Sequence, residues 1–395
     1  MSRRTVLALL VVAVGFLTAA CDSDNHSGPT AMRPSWHGVA LPVPPGPAGR
    51  IALRDATACA GRWFVVGAVI GADGATRPAA WASEDARTWE SMRLDASSYY
   101  ARRAILLSVA CQGTRVAAVG ARSGGAHGNP RVTSWYQRPD GVLVDMHADF
   151  ELYGGPNAIR VGRIAAGPHG WLITGDRASG AAVWVSADAR DFQIIDHDPG
   201  LSSDGEKKTS ALDQVWDGAT WTVVGRVETV GRVSPTPAAW TSADGEHWTE
   251  QPVPAGTDGF ADLERVARDD SGLVALGLRG DRFGLWRRGG SGWATAGSFG
   301  RYADQVTTAP RVTGLVTRSG TVVGVVSDGV RYRVWSRPGP GSADAPWRPV
   351  VAPAGPVATG DTRLTVAADD DTVLLLSDDG SSAQLWVTPW SAFTG

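Results

Sequence analysis

Four side chains in the segment VDMHADFE have the best spacing for metal chemistry. Asp145, His147, Asp149 and Glu151 stand at alternate positions, and alternate residues of a β-strand lie on one face. The segment is equally typical of a solvated strand end, which is the interpretation we favour. The sequence also contains no Gly-x-Ser-x-Gly motif, no phosphate-binding loop and no cysteine cluster. We therefore predict no metal site, no cofactor and no catalytic residues.

A second group of candidates consists of tyrosine and arginine residues in loops that precede β-rich segments. Both residue types are enriched at binding surfaces, and loops often carry function. The alternative is that these tyrosines only pack against neighbouring loops. The candidate ligand-binding residues are Tyr99, Tyr100, Arg103, Tyr153, Arg301 and Tyr302.

Two cysteines occupy matching phrases. Cys59 and Cys111 each stand in Ala-Cys-x-Gly, just before an apolar run. Equivalent positions on adjacent strands can bring two Cα atoms within the roughly 7 Å that a disulfide requires, and an exported protein meets oxidising conditions. We predict a disulfide between them, with two buried free thiols as the alternative.

These residues belong to a repeat that runs along most of the chain. Seven tryptophans recur 46 to 56 residues apart, each after a short β-rich run, and five of them precede a second aromatic residue. Short segments rich in Val, Thr and Trp, separated by Gly, Asp and Pro, predict four strands per repeat. Seven such repeats predict an all-β, seven-bladed β-propeller of four-stranded blades. The seven tryptophans are Trp81, Trp135, Trp184, Trp240, Trp286, Trp335 and Trp386.

The ends of the repeat predict how the ring closes. The seventh repeat has no segment for a fourth strand before Gly395. Residues 36–43 resemble the fourth strands of other repeats, so we expect them to complete the last blade. This pairing removes an open sheet edge, and the propeller is predicted to span residues 36–395.

Three turns share a Ser-x-Asp pattern that is followed by an aromatic residue, as in Ser242, Asp244 and Trp248. They resemble the Asp-box of sialidase-like (BNR-type) propellers, Ser-x-Asp-x-Gly-x-x-Trp. That resemblance implies a structural turn between the third and fourth strands, on the face opposite the usual binding face. Sialidases also need an arginine in an Arg-Ile-Pro phrase, and the nearest match, Arg50-Ile51-Ala52, lacks the proline. The best copy contains Ser242, Asp244, Gly245 and Trp248, and the poorer copies, with Ala in place of Gly, contain Ser83, Asp85 and Trp89, and Ser186, Asp188 and Phe192.

The N-terminal residues form three successive segments. Arg3 and Arg4 precede an apolar stretch at residues 6–17, and small residues then precede Cys21. This order resembles a bacterial lipoprotein signal. We predict a signal peptide at residues 1–20, lipidation of Cys21 and a flexible polar tether at residues 21–35. An ordinary cleaved signal is the alternative, and the export route, Sec or twin-arginine, stays open.

The net charge and the composition restrict the class of molecule that the protein is expected to bind. The net charge is −3 with no basic cluster, which argues against nucleic acid, and the scarcity of lysine is typical of actinobacterial composition. We predict a monomeric, non-catalytic lipoprotein on the extracytoplasmic face of the cell membrane, binding or scaffolding an envelope glycan or an exported protein. The alternative is a divergent glycan-active enzyme, a sialidase-like hydrolase or lyase, which needs two carboxyl groups, or a tyrosine and a carboxyl group, at the channel mouth.

Overall fold

The computed structural model describes residues 29–124, 129–256, 259–339 and 346–394. The predicted signal peptide, the lipidation site Cys21 and the first part of the predicted tether lie outside the described residues. Within the described part no helix is long and apolar enough to cross a membrane. The few helices among the described residues are α1 (Phe150–Tyr153) and two 3₁₀ turns, Ala101–Arg103 and Trp390–Phe393.

The described strands form seven antiparallel blades in a ring, which confirms the predicted seven-bladed β-propeller. The first strand, β1 (His37–Val39), belongs to the last blade. Blade 1 contains β2 (Arg50–Cys59), β3 (Arg62–Ile70), β4 (Thr76–Ser83) and β5 (Glu90–Ser91). Blade 2 contains β7 (Ile105–Gln112), β8 (Arg115–Ser123), β9 (Pro130–Gln137) and β10 (Leu143–Asp145), with β6 (Leu94–Asp95) added in parallel at its outer edge.

The next three blades repeat this order from the inner to the outer strand. Blade 3 contains β11 (Ala158–Gly167), β12 (Gly170–Arg177), β13 (Gly180–Ser186) and β14 (Gln193–Ile195). Blade 4 contains β15 (Lys207–Trp216), β16 (Trp221–Thr229), β17 (Thr236–Ser242) and β18 (Thr249–Gln251). Blade 5 contains β19 (Arg265–Asp269), β20 (Gly272–Arg279), β21 (Arg282–Gly289) and β22 (Gly292–Phe299).

The last two blades bring the ring back to the N-terminus. Blade 6 contains β23 (Arg311–Arg318), β24 (Thr321–Ser327), β25 (Tyr332–Arg337) and β26 (Arg348–Val350). Blade 7 contains β27 (Arg363–Ala368), β28 (Thr372–Asp378), β29 (Ala383–Pro389) and β1. We call the face on which the inner strands begin the upper face and the face on which they end the lower face.

The tryptophan anchors and the strand glycines have separate packing roles. Five of the anchors, those of blades 1 to 5, are fully buried between neighbouring blades. The glycine of the second strand allows a close approach of the inner strand. A Cβ at Gly67 would lie 1.9 Å from the carbonyl oxygen of Ala52, and one at Gly225 would lie 1.8 Å from that of Ser210. Any larger residue there would force the two inner strands of the blade apart.

The N-terminal strand closes the ring, as predicted. β1 pairs antiparallel with β29, with Gly38 opposite Trp386. The predicted flexible tether is wrong for its last residues, however. Met32 is buried and pairs in parallel with Val350, and its N–H donates to the carbonyl oxygen of Pro349 (2.8 Å). The polar composition of this segment hid the pairing, which covers the otherwise open outer edge of blade 6.

Candidate functional site

The inner strands of the seven blades surround an axial channel, and several of them bulge at the same level. Register shifts occur between Leu53 and Asp55, between Ala211 and Asp213, and between Val312 and Gly314. A bulge interrupts the ladder of backbone hydrogen bonds and re-aims a side chain. The side chains at this level therefore face neighbouring blades and the channel.

Polar side chains at the bulge level link each blade to the next. Asp55 accepts a hydrogen bond from Val109 N (3.1 Å), and Asp213 accepts one from Val266 N (3.1 Å). Ser108 Oγ plays the same part for the inner strand of blade 3, and Glu264 for that of blade 6. A buried backbone N–H needs an acceptor, so these groups have a structural role.

Arginine side chains lie beside these polar groups. Those of blades 1 and 3 form ion pairs with carboxylates. Arg163 lies between Asp55 (3.2 Å) and Asp213 (3.3 Å). Arg54 contacts Asp378 at 2.5 Å, and Arg50 contacts the same carboxylate at 3.2 Å. The charges on this side of the channel therefore balance within the protein.

Two arginines of blades 6 and 7 are not balanced in this way. A guanidinium nitrogen of Arg311 donates to the hydroxyl of Tyr332 (2.8 Å), which in turn donates to the carbonyl oxygen of Thr362 (3.0 Å). The Nε atoms of Arg311 and Arg363 are buried and have no acceptor among the described residues. Neither arginine forms an ion pair with a carboxylate in the described ranges. The channel wall here carries uncompensated positive charge.

Burial is also visible in the acid–base properties of this wall. Burial, followed by the charges of neighbouring arginines, lowers the pKa of Arg363 to about 10. Burial, followed by the charge of Asp262, raises the pKa of Glu264, and burial raises the pKa of Asp262 itself. At neutral pH Arg363 stays cationic, while the acidic pair is held back from full ionisation. The reduced ionisation of the acidic pair leaves the wall more positive than a count of side chains indicates.

The six loop residues predicted to form one ligand face lie in separate places. Tyr99 is 57% exposed and packs edge-to-face against Tyr100, with the Arg103 guanidinium 4.0 Å from its ring centre. Tyr153 is 6% exposed and packs on Trp184. Its assignment as a ligand residue is corrected here, since its ring belongs largely to the core.

Arg301 and Tyr302 lie on the far side of the ring from these tyrosines. Arg301 pairs with Asp281 (2.5 Å), and the Tyr302 hydroxyl donates to the carbonyl oxygen of Arg282 (2.6 Å). These two residues border a cleft between blades 5 and 6. Tyr100 and Tyr153 border a different cleft, of about 570 Å³, at the outer side of blade 2.

Sequence reasoning missed the arginines of the channel. Each of these arginines stands in an inner strand, where a charged residue has few exposed positions. The missed residues are Arg54, Arg163, Arg265, Arg311 and Arg363.

The turns with the Ser-x-Asp pattern lie on the lower face and have a local role. Asp244 accepts hydrogen bonds from Glu246 N (2.8 Å) and His247 N (2.9 Å), and Trp248 Nε1 donates to Gly245 O (2.9 Å). Gly245 has a φ of +83°, a conformation that favours glycine.

The poorer copies keep this geometry with alanine at the glycine position. Ala86 and Ala189 have φ values of +58° and +66°. Asp85 accepts from Arg87 N and Thr88 N, and these donors lower its pKa to about 2. Asp188 accepts hydrogen bonds in the same way from the two backbone N–H groups that follow Ala189.

The lower rim of the channel carries the two matching cysteines. Cys59 and Cys111 form a disulfide that joins blades 1 and 2, with their Cα atoms 6.1 Å apart. Both lie at the lower ends of inner strands, β2 and β7.

The acidic segment of blade 2 shows no metal geometry. Asp145 is buried and accepts hydrogen bonds from Ser97 N (2.6 Å) and Ser98 N (3.2 Å). The strand ends at Asp145, so the later acidic residues do not share its face. Within the described ranges, no group of three or more His, Cys, Asp or Glu side chains is placed to hold a metal ion.

Comparison with known proteins establishes the architecture alone. No protein-family model matches the chain, and no curated protein matches its sequence. A polysaccharide lyase of family PL25, an ulvan lyase, superposes with a TM-score of 0.50 at 9% identity, covering 86% of this chain and 94% of the lyase. The extracellular domain of a one-component system from B. thetaiotaomicron has a TM-score of 0.50 at 10% identity, covering 89% of this chain and 39% of that one. The propeller domain of the Trilobed protease from Pyrococcus furiosus has a TM-score of 0.48 at 11% identity, covering 86% of this chain and 95% of that domain.

Proposed function

We propose that the protein is an extracytoplasmic propeller, anchored to the membrane through a lipid on Cys21, that binds an anionic group of an envelope glycan or an exported protein in its axial channel. The observation that carries the binding proposal is the pair Arg311 and Arg363, which lie in the channel wall without a carboxylate partner among the described residues. The lipoprotein-like N-terminus supports the anchoring. The Ser-x-Asp turns, which resemble Asp-boxes, have a structural role on the lower face. We therefore assign binding to the upper face.

The physical argument rests on the cost of desolvating a charge. A buried charge without a partner is unfavourable by several kcal/mol relative to its paired state. A carboxylate, sulfate or phosphate accepts two parallel N–H bonds from one guanidinium. An anionic ligand therefore relieves the unpaired state of Arg311 and Arg363, whereas a neutral ligand does not.

Binding is tested with the soluble chain that starts after Cys21. We expect acidic glycans on an array to be retained in preference to neutral ones, and the variant Arg311→Ala/Arg363→Ala to bind them at least tenfold more weakly. Arg87→Ala, an exposed arginine of a lower-face turn, is the matched control and should bind as the wild type does. Equal retention of acidic and neutral glycans, or undiminished binding by the double variant, contradicts the proposal.

Anchoring is tested separately in cells. We expect the full-length protein to incorporate a labelled fatty acid and to partition into the detergent phase, and Cys21→Ala to do neither. A wild-type protein that incorporates no labelled fatty acid would contradict the proposed lipid anchor. The binding proposal would be unaffected.

A glycan-active enzyme is the second candidate, and one observation favours it. Glu264 lies in the channel wall with a raised pKa, which is the property of a general acid. The same carboxyl group already accepts the N–H of Val312, as the corresponding side chains of other blades do, so we prefer a structural role. Release of new reducing or unsaturated ends from acidic polysaccharides, abolished by Glu264→Gln, would establish the enzyme instead.

A further inference from the structure

The cleft of about 570 Å³ at the outer side of blade 2 opens on the upper face of the ring. Three segments of that face form its wall: the loop that leads into β7, the first residues of β9, and the segment around α1. No inner strand lines it within the described ranges. The cleft is therefore separate from the axial channel.

Two arginines stand directly opposite each other at this end of the blade. Arg122 of β8 is paired with Arg131 of β9 in the antiparallel register, so both side chains leave the same face of the sheet, with Cβ atoms about 4.5–5.5 Å apart. Like charges at directly opposed positions repel. Both side chains are partly exposed, and neither guanidinium group forms a hydrogen bond or an ion pair with another described residue. The pair is a double positive charge that solvent reaches and that the described part of the protein does not neutralise.

Aromatic rings flank this arginine pair. The guanidinium carbon of Arg131 lies 4.6 Å from the ring centre of Phe150 and 6.0 Å from that of Tyr100. Stacking on a ring fixes the guanidinium plane and leaves its N–H groups free to donate. Phe150 is 58% exposed, so its ring also offers an apolar surface to a ligand beside the two charges.

The surrounding charges do not cancel the pair. Arg102 and Arg103, in the loop before β7, donate to backbone carbonyl oxygens and form no ion pair with a carboxylate in the described ranges. Among the described residues of the cleft wall, Asp149 supplies the one carboxylate. Asp145 lies nearby, but it is buried and accepts hydrogen bonds from the same loop. Four arginines therefore meet two carboxylates, and the excess favours a ligand with more than one negative charge.

We propose that this cleft binds a phosphorylated sugar, with the phosphate between Arg122 and Arg131 and the sugar ring against Phe150. A phosphate monoester carries close to two negative charges at neutral pH, which matches the two guanidinium groups. Its oxygens accept paired N–H bonds from arginine, whereas a carboxylate, with a single charge, neutralises only one of the pair. The C–H groups of a sugar pack on the exposed ring through dispersion contacts. The site does not depend on the channel.

The test uses calorimetry on the soluble chain that starts after Cys21, with the substitutions Arg311→Ala/Arg363→Ala to remove the proposed anion site of the channel. Glucose 6-phosphate is the probe, and inorganic phosphate, glucose and glucuronate each lack one of its features. We expect glucose 6-phosphate to bind about fivefold more tightly than inorganic phosphate, because the ring adds apolar contact, and more tightly than glucuronate. Glucose should not bind.

Two variants of the cleft separate the contributions of charge and ring. Arg122→Gln/Arg131→Gln should weaken the binding of glucose 6-phosphate at least about tenfold, because it removes charge-assisted hydrogen bonds. Phe150→Ala should weaken it about fivefold and leave the binding of inorganic phosphate unchanged. The same losses are expected in the chain that keeps Arg311 and Arg363, as one binding site fewer per protein.

Arg190→Ala is the matched control. Arg190 stacks on Tyr136 at 4.4 Å, but it lies in a lower-face turn, so its loss should leave binding unchanged. Arg122→Gln alone should not lower the urea midpoint of unfolding, since it removes a repulsion; a lower midpoint would assign the arginine pair to structure instead. The proposal is also overturned if glucose 6-phosphate does not bind, if inorganic phosphate binds as tightly, or if Arg190→Ala weakens binding as much as Arg122→Gln/Arg131→Gln.

Discussion

Blades 4 and 5 differ at the turn between their third and fourth strands. In blade 4 the turn keeps Ser242, Asp244 and Gly245, the indole of Trp248 is hydrogen-bonded to it, and the fourth strand has 3 residues. In blade 5 the pattern is lost, the indole Nε1 of Trp293 is unpaired, and the fourth strand has 8 residues. Packing alone keeps the aromatic ring in place, whereas its hydrogen bond depends on the turn motif.

The same contrast extends to the two halves of the ring. Blades 1 to 4 hold the disulfide, the three Ser-x-Asp turns and the paired Arg163. Blades 5 to 7 hold the unpaired Arg311 and Arg363 and the cleft with the unpaired Trp347. Buried donors without an acceptor occur in both halves, Trp171 Nε1 and Trp240 Nε1 among them, so the contrast lies in the channel. Arg163 pairs with two carboxylates there, whereas Arg311 and Arg363 pair with none among the described residues.

The disulfide provides the strongest test of this contrast. Cys59→Ser/Cys111→Ser should lower the free energy of unfolding by about 4 kcal/mol, because the bond closes a loop with a sequence separation of 52 residues. Urea denaturation measures the loss. The wild type under reducing conditions is the control and should match the double variant. A variant as stable as the oxidised wild type would show that the first half does not depend on the bond.

Matched tryptophan substitutions test the contrast at the turns. Trp248→Phe and Trp347→Phe lose the same ring volume, but only the first breaks a hydrogen bond. We expect Trp248→Phe to be less stable than Trp347→Phe by about 1 kcal/mol in chemical denaturation. Equal losses of unfolding free energy in the two variants would mean that the turn hydrogen bond does not contribute to stability.

Acid provides the test with the smallest expected effect. The pKa of Asp85 is about 2 in the folded protein, below its ordinary value of 3.8. Its contribution to stability is therefore present above about pH 4 and is lost as the pH falls through 2. Asp85→Asn should flatten the dependence of the unfolding midpoint on pH between 4 and 2. Asp73→Asn, in a turn outside the Ser-x-Asp pattern, is the control for a general charge effect, and a similar flattening there would contradict the assignment to the turn.

The repeat predicted the fold well because its signals are local. The strand glycines and the second aromatic residue reflect contacts within one blade, the tryptophan anchor recurs once in every blade, and the closing strand resembled its counterparts. The channel arginines could not be assigned from sequence, because their partners lie in other blades: Arg54 pairs with Asp378, more than 300 residues away. The docking of Met32 was hidden because its backbone partner and its core contacts lie in blades 6 and 7, far away along the chain.

The pairing of β1 with β29 has a mechanical consequence. A force applied along the chain from its N-terminal side reaches the pairing of Met32 first and then a strand of only 3 residues. Once these contacts separate, blade 7 loses its outer strand while the inner strands around the axis keep theirs. We therefore expect blade 7 to open between β1 and β29 before any other blade opens. Tension along the N-terminal segment would then be released at this one strand pair.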